Sequence, residues 1–275
     1  NKVTGDNVTA NYTSASFDNK IVGDNKTVTV SGISINGTDA ANYSLSNNTT
    51  TTTANITAAA LTVTGITADN KVYDGTTVAT VNTTSAMLVG VVPGDNVTLE
   101  TSVATGAFAD KNVGDNKTVT ISGLTLSGAD AGNYSLMQPT TTANITLRPL
   151  TVSATGVNKT YDGTTSANVT LSTNKVAGDN VTANYTSASF DNKTVGTGKE
   201  VTVSGISVNG TDAANYSLSN TSATTTANIT LRPLTVSATG VNKTYDGTTS
   251  ANVTLSSNKV AGDNVTANYT SASFD

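Results

Sequence analysis

Apolar and hydroxyl-bearing residues alternate one for one in short runs along this chain. Val181, Ala183 and Tyr185 interleave with Thr182, Asn184 and Thr186, and Val201 and Val203 with Thr202 and Ser204. Successive side chains of an extended backbone point to opposite faces, so this pattern describes strands that are buried on one side and wet on the other. Across residues 149–232 it predicts strands over Leu150–Ala154, Val157–Tyr161, Ala167–Leu171, Asn180–Ala188, Glu200–Ser204 and Thr224–Thr230. Between them, Asp162-Gly163, Gly178-Asp179, Gly196-Thr197-Gly198 and Asn209-Gly210 supply residues that tolerate positive φ. Asp212-Ala213-Ala214-Asn215-Tyr216 has a capping residue followed by helix formers, and is long enough for one turn only. The fold class expected is all-β.

The pattern repeats. Lys71-Val72-Tyr73-Asp74-Gly75-Thr76-Thr77 returns as Lys159-Thr160-Tyr161-Asp162-Gly163-Thr164-Thr165 and as Lys243-Thr244-Tyr245-Asp246-Gly247-Thr248-Thr249, at spacings of 88 and 84 residues. The words Gly-Asp-Asn-Val-Thr (from Gly5, Gly94, Gly178 and Gly262) and Asn-Tyr-Ser-Leu (from Asn42, Asn133 and Asn215) keep the same beat. This period exceeds the roughly 20–50 residues of solenoid and propeller units, so each repeat is large enough to be a domain. The expected division is 1–59, the back two-thirds of a unit; 60–148 and 149–232, complete units; and 233–275, the front half of another. Leu147-Arg148-Pro149-Leu150 and Leu231-Arg232-Pro233-Leu234 join units directly, with no Gly/Ser spacer, which favours small β-sandwich or β-grasp-like domains set end to end as a rod. Residues 1–18 and 258–275 differ only at Thr4 against Ala261. That overlap suits a window on a longer uniform array; the alternative is that the last unit of one chain is completed by the first of the next.

Composition narrows the chemistry. Serine and threonine make up roughly 30% of the chain, and charged residues 12%, about half the usual share. Cys, His and Trp are absent, which removes disulfides, thiolate nucleophiles and imidazole bases. Acid–base catalysis would need paired carboxylates or a tuned lysine, and neither clusters in the sequence, so no catalytic residue is expected. A net charge of −5 and no strongly basic stretch argue against nucleic acid. No run approaches 18 apolar residues, so no membrane-spanning helix is expected. Calcium is the one metal considered. It wants six to eight oxygens, whereas each Gly-Asp-Asn loop offers one Asp and the chain holds only Glu100 and Glu200; no cofactor is therefore expected.

Asparagine carries the strongest non-structural signal. Of 32 Asn residues, 26 stand in Asn-x-Ser/Thr, where a ~30% hydroxyl content predicts roughly ten. Candidate N-glycan acceptors are Asn7, Asn25, Asn36, Asn55, Asn96, Asn116, Asn144, Asn180, Asn184, Asn209, Asn228 and Asn264. The plainer reading is that strand alternation and repeat copying generate most of them. Asn25, Asn36, Asn116 and Asn209 sit in turn-like words that alternation does not explain.

Two aromatic words invite structural roles. Tyr161 reads as a core aromatic with Asp162-Gly163 as a hairpin turn, and Tyr216 as a buried ring that anchors its loop through a hydrogen-bonded hydroxyl.

Lys-x-Tyr-Asp-Gly-Thr-Thr, then Val91-Val92-Pro93-Gly94-Asp95-Asn96-Val97-Thr98, then Ala107-Phe108-Ala109-Asp110-Lys111-Asn112-Val113-Gly114, then Ser127-Gly128-Ala129-Asp130-Ala131-Gly132-Asn133-Tyr134 together resemble the YDG domain. That domain is similar to the mostly-β-grasp repeats beside which it occurs in filamentous-haemagglutinin-like bacterial surface adhesins. The resemblance covers essentially the whole chain and implies an extracellular, non-catalytic stalk whose partners are neighbouring repeats. A self-assembling filament that docks copies of the chain by strand addition is the alternative.

Overall fold

A computed structural model describes residues 2–275, and it is all-β apart from three single turns of 3₁₀ helix. The chain forms two compact units. One contains Lys71 and everything before it, with Thr76–Ile145; the other contains Val72–Gly75 and Thr146–Asp275. Four residues around Tyr73 thus cluster with the repeat that follows them in sequence.

In the second unit, the repeat that starts at Arg148 has one four-stranded sheet and three two-stranded ones. Arg148–Leu150 pairs in parallel with Tyr216–Leu218, and Val152–Val157 pairs antiparallel with Asn168–Thr173. The larger sheet has the order Lys159–Thr160, Ser222–Thr230, Gly196–Ser204, Ser187–Phe190. Alternation decides which side faces in. Val201 and Val203 have no exposed surface, while Thr202 and Ser204 between them are exposed. With Val152, Phe190, Ile206 and Ile229 they form the hydrophobic core. Each such side chain contributes about 1.5–3 kcal/mol on burial. The sheets meet closely at Gly156, where a Cβ would lie 2.5 Å from the carbonyl oxygen of Thr226.

A bulge interrupts the long strand between Gly196 and Lys199. Gly198 sits there at φ 59°, and its N–H donates to Asn228 Oδ1 at 2.8 Å. The other long strands place Asn25 (φ 54°) and Asn116 (φ 50°) at the same point, bonded to Asn55 Oδ1 at 2.8 Å and Asn144 Oδ1 at 2.7 Å. Asn tolerates the left-handed region better than other non-glycine residues, which accounts for the Asn-Lys-Thr words.

The first unit repeats the plan. Met87–Val89, Ala59–Thr64 and Tyr134–Leu136 form one sheet, and Thr140–Thr146, Gly114–Ser122, Thr105–Phe108 and Val78–Ala79 lie side by side in another, over Leu61, Val119, Ile121 and Ile145. Earlier in the same unit, Ser14–Phe17, Gly23–Ser31 and Thr49–Ile56 form a three-stranded sheet.

Several expected elements differ. The strand expected over Asn180–Ala188 is broken into Thr182–Asn184, which pairs with Ser207–Asn209, and Ser187–Phe190 in the large sheet. The chain changes sheets at Tyr185-Thr186, where Gly205 passes so close that a Cβ would lie 2.3 Å from Thr186 Oγ1. Ser207–Asn209 and Tyr216–Leu218 are strands of three residues, too short to show a period. Nor is Asp162-Gly163 a hairpin turn. Lys159–Thr160 pairs in parallel with Ile229–Thr230, and Ser166 bridges to Ser189, so the loop joins two different neighbours. Ala213–Asn215 is the expected single turn, but Asp212 caps nothing within it. No helix among the described residues is long and apolar enough to cross a membrane.

Candidate functional site

In the repeat that starts at Arg148, the Gly-Asp-Asn loop converges with two tyrosines that the sequence keeps far apart. Gly178 turns the chain at φ 90°, and Asp179 follows at 6% exposure, one of two buried polar residues among those described. Tyr216 Oη donates to Asp179 Oδ2 at 2.6 Å and accepts the Val176 N–H at 2.8 Å. This confirms the expected loop anchor. Tyr73, from the preceding repeat, donates its hydroxyl to the same Oδ2 at 2.9 Å. Its ring meets Tyr216 edge-on, 5.4 Å between centroids at 73°, and has no exposed surface. Asp212 Oδ2 accepts the Asn180 N–H at 2.9 Å, tying the loop to the 3₁₀ turn that precedes Tyr216. Buried carboxylates are costly unless hydrogen-bonded, and here the donors come from both repeats.

Lys159, Asp162, Gly163 and Thr164 of the Lys-x-Tyr-Asp-Gly-Thr word hold the loop that carries the tyrosine. Lys159 Nζ donates to Asp162 at 2.8 Å, Thr164 O at 2.9 Å and Ser166 O at 2.8 Å, and lies 5.5 Å from the centre of the Phe190 ring. Asp162 Oδ1 also accepts the Thr164 N–H and hydroxyl, both at 2.9 Å. Lys159 and then the Thr164 N–H hold the Asp162 carboxyl down at about 2. Gly163 takes φ 80°, a conformation that glycine adopts without strain. Tyr161 then projects into the next repeat and donates to Asp263 Oδ1 at 2.8 Å. It is therefore a peg for a neighbour as well as a flank of its own core, where a purely internal aromatic was expected.

The same socket recurs in the first unit. Tyr134 Oη donates to Asp95 Oδ2 at 2.8 Å and accepts Val92 N–H at 3.1 Å. Lys20, from the preceding repeat, reaches Asp95 at 2.8 Å and Asp130 at 3.7 Å, and Val22 N–H donates to Asn133 Oδ1 at 3.0 Å. A cavity of about 280 Å³ opens beside Lys20, Asp95 and Tyr134. Lys193, the counterpart of Lys20, lies 3.7 Å from Asp263. The charges follow from these contacts. Lys20 first and Tyr134 second hold the Asp95 carboxyl below its ordinary value, and Asp95 raises the Lys20 ammonium. Burial, then the Asp179 carboxylate, push the Tyr216 hydroxyl up to about 12.

Each carboxylate is a hydrogen-bond acceptor shared between successive repeats: two phenols meet Asp179, and one phenol and one ammonium group meet Asp95 and Asp263. No group of three His, Cys, Asp or Glu side chains is placed to hold a metal among the described residues. The glycan candidates are not gathered into one site. Asn7, Asn25, Asn36, Asn55, Asn96, Asn116, Asn180, Asn184, Asn209 and Asn264 are exposed, and Asn144 and Asn228 half-buried. Asn55, Asn144 and Asn228 have a structural task at the bulge. Local pattern reading missed Asp95, Asp179 and Asp263 as sockets and Lys20 and Lys193 as clasps. The available signal was the fixed order of the Tyr-Asp-Gly, Gly-Asp-Asn and Asn-Tyr-Ser words in every period.

The YDG domain matches residues 1–53, 57–143, 146–226 and 230–275. No curated protein and no solved structure matches the chain. With four successive matches that leave only short gaps between them, the chain belongs to the YDG domain family.

Proposed function

We propose that these repeats are a non-catalytic spacer of a bacterial extracellular adhesin, of the filamentous-haemagglutinin-like type, in which a stiff file of domains carries a binding region away from the cell. The observation that supports this best is the junction itself: Tyr73 leaves its own repeat to be buried against Asp179 and Tyr216 of the next. A repeat that donates a core residue to its successor resists bending and peeling at the point where a simple linker would yield. Nearest-neighbour coupling of this kind stabilises a linear array beyond the sum of its units. The direct Leu-Arg-Pro-Leu connections and the weakly charged, hydroxyl-rich faces are consistent with a rod that stays soluble and blunts its strand edges.

On this reading the partners are neighbouring repeats, exposed sequons carry N-linked glycans, and neither calcium nor another cofactor is needed. Small-angle scattering of arrays with two to six repeats tests the geometry. A spacer gives a maximum dimension that grows linearly with repeat number; growth as the square root would refute it. Antibody labelling of intact cells tests location, and intact-mass measurement of native protein tests glycan occupancy. Calorimetric titration with calcium is expected to give no heat and no change in melting temperature.

A further inference from the structure

Of the five tyrosines in residues 60–232, four donate their hydroxyl to a carboxylate: Tyr73 and Tyr216 to Asp179, Tyr134 to Asp95 and Tyr161 to Asp263. Tyr185 is the fifth. It is half-buried and packs against the hydrophobic core of its repeat, as do Val169, Leu171 and Ala183. Among the described residues its hydroxyl has no hydrogen-bond partner. Tyr185 lines a groove of about 400 Å³, with Ala183 and Asn184 on one side and Val169, Thr170 and Leu171 on the other. The two sides come from Thr182–Asn184, which pairs with Ser207–Asn209, and Asn168–Thr173, which pairs with Val152–Val157. No ladder joins the two strands across the groove.

The chemistry of this lining is consistent throughout. Val169, Leu171 and Ala183 form an apolar floor fixed to the core. Tyr185 adds an aromatic ring, and the exposed Thr170 and Asn184 add a hydroxyl and an amide that have no partner among the described residues. No charged side chain lines the groove. Concave, mostly apolar sites with a few convergent polar groups are the usual form of a ligand pocket. A ring of this kind stacks on the C–H face of a sugar, while an amide and hydroxyls exchange hydrogen bonds with its hydroxyl groups. An ionic ligand would be desolvated there without a counter-charge. The same lining returns 84 residues later, where Val253-Thr254-Leu255 and Ala267-Asn268-Tyr269 border a groove of about 390 Å³. The repeat at 60–148 has Leu99-Glu100-Thr101 in place of Ala183-Asn184-Tyr185, and Glu100 accepts the Ser127 hydroxyl at 2.6 Å. That repeat pairs its strands in the same way, Thr98–Glu100 with Thr125–Ser127, so the fold does not require the ring and the amide.

We propose that the groove between Val169–Leu171 and Ala183–Tyr185, and its counterpart at Tyr269, each bind a neutral oligosaccharide. One sugar ring rests against the tyrosine, and its hydroxyl groups bond to the asparagine amide and the threonine hydroxyl. The two grooves have the same residues, so two equivalent sites per chain are expected. This inference is independent of the spacer reading, because each groove lies within a single repeat and uses none of the junction residues.

The test uses the 275-residue chain made in a host that adds no N-glycans, so that Asn184 and Asn268 stay bare. Cellohexaose, maltohexaose and N-acetylchitohexaose are titrated in turn, and contact is read by saturation-transfer NMR. At least one is expected to bind with a Kd on the order of 0.1–1 mM. Tyr185→Ala combined with Tyr269→Ala is expected to weaken that binding ~10-fold. Tyr185 also packs against the core, so Asn184→Ala with Asn268→Ala, at exposed positions, provides a variant that spares the fold; it is expected to weaken binding roughly 5-fold. No transfer to any of the three sugars overturns the proposal, as does transfer that neither variant reduces, or equal binding of anionic hexagalacturonate. Self-association in sedimentation that the tyrosine variant abolishes would make another copy the occupant and would overturn it too.

Discussion

Replacing Tyr73 by alanine removes a peg whose ring is fully buried. Truncating a buried large aromatic typically costs about 3–5 kcal/mol, through lost transfer energy and the cavity left behind. The edge-on contact with Tyr216 adds about 0.5–1.5 kcal/mol beyond area burial. The hydroxyl bond to Asp179 adds roughly 1 kcal/mol more, because that carboxylate keeps Tyr216. The sum, about 4.5–7.5 kcal/mol, is comparable to the roughly 4–12 kcal/mol stability of a repeat of this size. Tyr73→Ala is therefore expected to uncouple neighbours: urea unfolding followed by tyrosine fluorescence should change from one cooperative transition to two. Tyr73→Phe keeps the ring and is expected to cost about 1–2 kcal/mol with cooperativity preserved. A loss below about 1 kcal/mol for Tyr73→Ala, with a single unchanged transition, would refute the reasoning.

Other expectations follow from the same contacts. Gly156→Ala, whose Cβ would meet a backbone oxygen at 2.5 Å, should destabilise by about 1–3 kcal/mol in thermal melts, whereas Gly240→Ala, with nothing within 4 Å, should be nearly silent. Asn228→Ala orphans the Gly198 N–H and is expected to cost about 1 kcal/mol, read as a lower urea midpoint. Asp162 has its carboxyl depressed from 3.8 to about 2, so its contribution is fully present above pH 4 and lost as pH falls toward 2; Asp162→Asn should flatten that limb of a stability–pH profile. Tyr216 is raised from 10.0 to about 12, so its contribution is present below pH 10 and lost as pH rises through 12; Tyr216→Phe should remove the alkaline limb.

The sheets were readable because alternation reports burial directly: Val201 and Val203 were marked as inward by their neighbours Thr202 and Ser204. Asn-Tyr as an anchor was readable for a similar reason, a lone ring with a hydroxyl in a polar loop. The peg was not. Tyr161 reads as an internal aromatic because local pattern says that a ring is buried but not in whose core. Its partner, Asp263, lies 102 residues away. Asp162-Gly163 has the composition of a hairpin turn, and only the parallel pairing of Lys159–Thr160 excludes one. Ser207–Asn209 escaped for want of length, and the Asn180–Ala188 run concealed a change of sheet that its alternation passes through undisturbed.

The most direct test of the account is a double-mutant cycle on Tyr73→Phe and Asp179→Asn, with each stability measured by urea unfolding. A tyrosine that bonds the carboxylate of the next repeat predicts a coupling energy of at least about 1 kcal/mol. Additive effects, with no coupling beyond error, would show that the junction is not held in this way.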